Sequence, residues 1–174
     1  MKSVDAANMP EFTGPFAGNL ASAWTDSNND FVRATLADQV IDDQEWAELS
    51  TRMASCFSER GVEFLGFQDD GTYTSKGPQG ASNEEAEKIL SYCEDWSGET
   101  WLHPLRRSMA TNPENIPFPE AMTQCLIRNN LVPSDYTADQ FVRDNEQLSF
   151  PFMGTSKEEV FWSCNSDTSF KADS

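Results

Sequence analysis

Apolar residues recur at three- and four-residue spacing along most of this chain, which is the period of an amphipathic helix. The clearest case is "IDDQEWAELSTRMASCFSERG", residues 41–61, where Trp46, Leu49, Met53, Cys56 and Phe57 fall on one stripe. Its start is marked by Asp42 as N-cap and Glu45 three positions later, the spacing of a capping box. Ile41 and Trp46 stand at the positions of a hydrophobic staple. Its end is marked by Gly61, a residue free to take the left-handed conformation, with Val62 placed to close back on Phe57.

The same logic recurs further on. "MTQCLIRNNL" from Met122 repeats the order of "MASCFSERGV" from Met53. Asn130 stands where Gly61 stands, and Leu131 is placed to close on Leu126. Each stretch is followed by an acidic-started segment that ends on a second cysteine, "SNEEAEKILSYC" at Cys93 and "TSKEEVFWSC" at Cys164. The chain therefore reads as two similar helical units. Ser82 with Glu85, and Thr137 with Gln140, open further helices. "ETWLHPLRRSM" is helical with Pro104 near its first turn or at a kink, and Pro119 suits the first turn of the Cys125 helix. Residues 16–37 read as one long helix or as two split at Ser27-Asn28-Asn29. Period-two alternation is confined to "VEFLGFQDDGTYTS", a small β-hairpin near 62–75 turning at Asp70-Gly71. The expected fold is mainly α, one α-rich domain over residues 14–164. Its first unit spans about 42–95 and its second about 113–164. A flexible N-terminal segment, 1–13, and a C-terminal tail, 165–174, flank it.

Composition narrows the functions open to this fold. Five Trp and twelve Phe in 174 residues are enough to build a core. Twelve basic residues against 29 acidic ones give a formal charge of −17. The resulting field repels phosphate backbones and anionic headgroups, which disfavours nucleic acid as a partner. No stretch approaches the ~20 apolar residues of a transmembrane helix, and the first residues lack the apolar run of a signal peptide. Cys56, Cys93, Cys125 and Cys164 are an even set with no zinc-knuckle spacing. The single histidine, His103, gives neither a zinc site nor a thiol–imidazole pair an obvious second partner. Disulfides in an oxidising location are preferred over buried thiols. Four cysteines allow three pairings. The two-unit repeat makes Cys56 with Cys93, and Cys125 with Cys164, the simplest.

Candidate chemistry is sparse. Asp26, Asn28 and Asp30 have the opening spacing of a calcium loop, but Phe31 stands where that loop needs glycine and Ala37 where it needs glutamate. Asp69, Asp70, Glu84, Glu85 and Glu87 are carboxylates that a turn and a helix start explain without catalysis. No nucleophile-elbow pattern accompanies His103. No catalytic residue, metal ligand or cofactor is assigned. Trp96, Trp101 and Trp162 are candidates for a sugar-stacking face, although tryptophan at helical spacing is more often core. The Pro-interrupted segment "SFPFMG" offers Phe150 and Phe152, with Trp162, as a possible ligand or partner contact. Packing of that loop onto the core is the favoured alternative.

"LADQVIDDQEW", the two Cys units, "MATNPEN", "CLIRNNLVP" and "DYTADQF" resemble a set of small exported or lipid-anchored actinobacterial proteins of uncharacterised function, over about residues 16–165. Where those proteins have glycine before the first capped helix, this chain has Gln39. The resemblance implies export and an α-rich fold and transfers no catalytic residue. The expected function is a non-catalytic binding or interaction module of the cell envelope, its partner a protein or glycan. The alternative is a carboxylate-dependent hydrolase of glycan or peptidoglycan.

Overall fold

The computed structural model describes residues 8–68, 71–78, 80 and 82–172, so Asp69 and Asp70 lie outside the described residues. Among these residues the protein is mainly helical with a single two-stranded antiparallel hairpin. The described residues divide into two compact units, the first ending at Arg107 and the second beginning at Ser108.

The first unit carries helices α1 (Ala17–Asp26), α2 (Asp30–Leu36) and α3 (Asp43–Glu59), strands β1 (Glu63–Phe67) and β2 (Tyr73–Lys76), helix α4 (Asn83–Ser97) and most of α5 (Glu99–Thr111). The segment 16–37 is split, because Asn29 is extended and its side-chain oxygen caps α2 by accepting from the amides of Phe31 and Val32. α3 and α4 start in complete capping boxes, Asp42 with Glu45 and Ser82 with Glu85. The core of this unit gathers Met53, Cys56, Phe57, Val62 and Cys93 from α3, the hairpin approach and α4. Phe64, Phe67, Tyr73, Ile89 and Leu90 pack around it. In the hairpin, Glu63 faces Lys76 and Phe67 faces Tyr73, with a bulge between Phe64 and Phe67. α5 accommodates Pro104 in its interior.

The second unit carries α6 (Phe118–Arg128), α7 (Ala138–Gln147) and α8 (Glu158–Ser166). Its core is Met122, Cys125, Leu126, Leu131, Phe141, Phe150, Phe152, Phe161 and Cys164. Pro119 falls in the first turn of α6, and Thr137 with Gln140 boxes the start of α7. The segment 167–172 is tied down rather than trailing as a tail. Arg128 donates through Nε and Nη2 to the Phe170 carbonyl at 3.1 and 3.0 Å. Asn129 Oδ1 accepts from the Ala172 amide at 2.7 Å, and Phe170 packs on the core.

Both cysteine pairs are formed, Cys56–Cys93 and Cys125–Cys164, closing sequence separations of 37 and 39 residues. By chain-entropy reasoning, loops of this length stabilise the fold by about 4 kcal/mol each. The helix ends preceding them are built alike. In α3 the Gly61 amide bonds to the Ser58 carbonyl and the Val62 amide to Phe57, at 3.1 and 2.9 Å. In α6 the Asn130 amide bonds to Ile127 and the Leu131 amide to Leu126, at 3.0 and 2.9 Å. Both are Schellman closures, with Gly61 at φ +71° and Asn130 at φ +56° in the left-handed region. Gln39, ahead of α3, is left-handed too, at φ +67°. Its side chain is held there by accepting from the Thr13 amide at 2.8 Å.

Candidate functional site

Three helices of the first unit converge on Arg52. It lies on α3 beside the apolar stripe of Leu49, Met53 and Cys56, so its stem follows the core edge while its head reaches sideways. The guanidinium lies 4.6 Å from the Phe31 ring centre of α2 and 4.7 Å from the Trp96 ring centre of α4. Nη2 donates to the Trp96 carbonyl at 3.0 Å. Nε is buried without an acceptor, and Arg52 makes no ion pair among the described residues. Burial lowers the guanidinium pKa, opposed by the nearby charge of Glu48.

Asn29, at the start of α2, reaches the same Trp96 carbonyl as Arg52. While its oxygen caps α2, its Nδ2 donates to the carbonyls of Asp95 and Trp96 at 2.9 and 3.1 Å. One side chain thereby joins the start of one helix to the end of another and satisfies carbonyls that α4 leaves open. Close approach is possible because Gly98 ends α4 at φ +94°. A Cβ there would stand 2.8 Å from Val32 Cγ2.

Around these contacts lies an open pocket of about 620 Å³ lined by Asn28, Asn29, Asp30, Phe31, Arg52, Tyr92, Asp95 and Trp96. Tyr92 and Trp96 are one turn apart on α4 and remain 51% and 42% exposed. Each ring carries a guanidinium on it, Arg60 over Tyr92 at 4.2 Å and Arg52 over Trp96. The two carboxylates of the pocket are anchored: Asp30 lies 3.6 Å from Arg33 and Asp95 accepts from Thr100 Oγ1 at 2.8 Å. The pocket thus offers two half-exposed aromatic surfaces, a donor head without a carboxylate partner, and fixed acceptors. The lining holds no serine, cysteine or histidine.

A second polar cluster lies beneath the hairpin. His103 Nδ1 is 2.8 Å from Glu99 Oε1, both side chains being largely buried. His103 Nε2 is buried and has no hydrogen-bond partner among the described residues, and a Cβ on Gly71 would come within 2.6 Å of it. Trp46 lies between Arg106, 4.7 Å from its ring, and Phe67, 4.6 Å away. Tyr73 donates to Glu94, and burial followed by that hydrogen bond raises its phenol pKa.

The residues singled out from sequence fare unevenly. Phe150 and Phe152 are 4% and 3% exposed and stacked 5.3 Å apart in the core of the second unit, so the loop packs inward and presents no aromatic contact. Pro151 turns the chain so that both neighbouring rings face the core. Trp162 stays exposed on α8, its indole donating to Glu158 at 3.2 Å. Trp96 belongs to the pocket, whereas Trp101 is half-buried on α5. Glu84 pairs with Lys88 and Glu85 serves its capping box. Sequence reasoning missed Arg52 and Asn29; the available signal was an arginine set against an apolar stripe. No helix among the described residues is long and apolar enough to cross a membrane. No protein-family model, curated protein or solved structure matches the chain.

Proposed function

We propose that the chain is a non-catalytic binding module, exported to the cell envelope, that works through the Arg52 pocket of its first unit. The observation that carries this reading is the pairing of exposed Tyr92 and Trp96 with an arginine that makes no ion pair among the described residues and lies over two rings. Trp, Tyr and Arg are the side chains from which binding energy is most often built. Here they are held in place before any ligand arrives, which lowers the cost of ordering them. Two disulfides support an oxidising location, and the resemblance to exported actinobacterial proteins points the same way. The test is co-sedimentation with purified insoluble cell-wall sacculi. The protein should pellet with them, and Trp96→Ala should stay in the supernatant. Equal pelleting of both proteins would contradict the assignment of the pocket.

A hydrolase acting on glycan or peptidoglycan is the second reading, favoured by the largely buried Glu99–His103 pair. Sacculi incubated with the protein would then release soluble fragments, and Glu99→Gln would abolish release.

A further inference from the structure

Resting on the binding reading of the same pocket, we infer that its ligand is a neutral carbohydrate unit that sets a ring face on Trp96 and Tyr92. Four observations converge on that class.

The depression, about 620 Å³, is within the size range of small-molecule sites. Its exposed apolar surface is aromatic and is carried by two rings one helical turn apart. Each ring has a guanidinium over one face, so a pyranose would set its axial hydrogens against the remaining face. The guanidiniums over both rings restrict their rotation, so little side-chain freedom is lost on binding.

The polar lining contains donors and acceptors together. Arg52 and the Asn28 amide can donate, while Asp30 and Asp95 can accept, their orientations fixed by Arg33 and Thr100. A hydroxyl is both donor and acceptor, so a polyhydroxyl ligand satisfies both kinds of lining at once. A carboxylate or phosphate would satisfy Arg52 alone and would face Asp30 and Asp95 across the pocket. An ammonium ligand would meet the Arg52 charge.

The field of the whole chain acts in the same direction. A formal charge of −17 opposes the approach of anions and leaves a neutral ligand unaffected.

Titration calorimetry at low and high salt separates the possibilities. The probes are neutral tetrasaccharides of the cello-, chito-, malto- and manno- series, with tetragalacturonate and inorganic phosphate as anions. The inference expects saturable binding of at least one neutral series, with affinity unchanged by added salt. Trp96→Ala and Tyr92→Ala should each weaken it by about 30-fold or more. Tyr92→Ala keeps the Arg52 and Asn29 cap bonds, so a folding defect at Trp96 does not obscure the result. Binding of an anionic probe alone, weakened by salt and lost in Arg52→Ala, would overturn the ligand class while leaving the pocket as the site. Binding of no probe, while sacculi still pellet the protein through Trp96, would also overturn the class and spare the binding reading. Neutral binding unaltered in both aromatic variants would overturn the two together.

Discussion

Arg52 and Trp96 are joined twice, by a guanidinium lying 4.7 Å from the indole ring and by a 3.0 Å hydrogen bond to the same residue's carbonyl. One side chain therefore stacks on the pocket wall and caps the end of α4, where a positive charge complements the helix dipole. The two contributions are separable. Arg52→Lys keeps the charge but loses the planar stack and the fork of donors. Arg52→Ala should lower unfolding free energy by about 1–2 kcal/mol, and Arg52→Lys should fall between it and the parent. Chemical denaturation measures both; a lysine variant as unstable as the alanine would show that charge at the α4 end contributes nothing.

The helix ends at Gly61 and Asn130 predict opposite signs for two mutations. Gly61→Val puts a β-branched residue at positive φ and should cost about 1–2 kcal/mol. Asn130→Gly relieves the Cβ penalty at an equivalent site and should be neutral or stabilising by up to about 1 kcal/mol. Thermal unfolding of the pair reads the difference directly. A silent Gly61→Val, or a clearly destabilised Asn130→Gly, would remove the equivalence of the two caps.

Features decided within one or two turns of chain are the ones legible in the sequence. Asp42 with Glu45, Ser82 with Glu85 and Thr137 with Gln140 are boxes because their spacing alone brings the groups together. The disulfide pairing followed from recurrence of the same local units. The pocket was not legible, because Phe31, Arg52 and Trp96 come from three helices and meet only once Asn29 bridges α2 to α4. The anchorage of the segment after α8 is illegible for the same reason: its partners, Arg128 and Asn129, lie about forty residues upstream. Phe150 and Phe152 could be read either as a surface contact or as core, since a Pro-interrupted apolar run specifies no direction by itself.

Asn129 is the centre of that C-terminal anchorage. Its Nδ2 donates to the Phe170 carbonyl at 3.1 Å and its Oδ1 accepts from Ala172. Asn129→Ala should release residues 167–172 while leaving the Cys125–Cys164 bond intact. Limited proteolysis with mass mapping should then show faster cleavage beyond Ser166, with no new reactive thiol. Unchanged cleavage would mean that Arg128 and Phe170 suffice.

Alkaline stability should depend on one tyrosine in each unit. Tyr73 donates to Glu94 and Tyr136 to Asp144, and burial followed by these bonds raises both phenol pKa values. The unfolded chain loses those protons near pH 10, whereas the folded chain retains them to higher pH. Stability is thus fully present below pH 10 and lost as pH rises through the folded values. Absorbance of phenolate against pH should show two of the three tyrosines ionising only as the protein unfolds. Tyr73→Phe with Tyr136→Phe should shift the alkaline unfolding midpoint upward. No shift would contradict the coupling.

Side-chain N–H resonances report directly on whether a ligand is bound through Arg52, Tyr92 and Trp96. Five tryptophan indoles and the Arg52 Nε–H can be followed by heteronuclear NMR as soluble fragments of digested cell wall are added. The account predicts that the Trp96 indole and Arg52 Nε–H signals move saturably while the Trp162 indole, on the second unit, stays in place. Movement of Trp162 with Trp96 and Arg52 unmoved would contradict it.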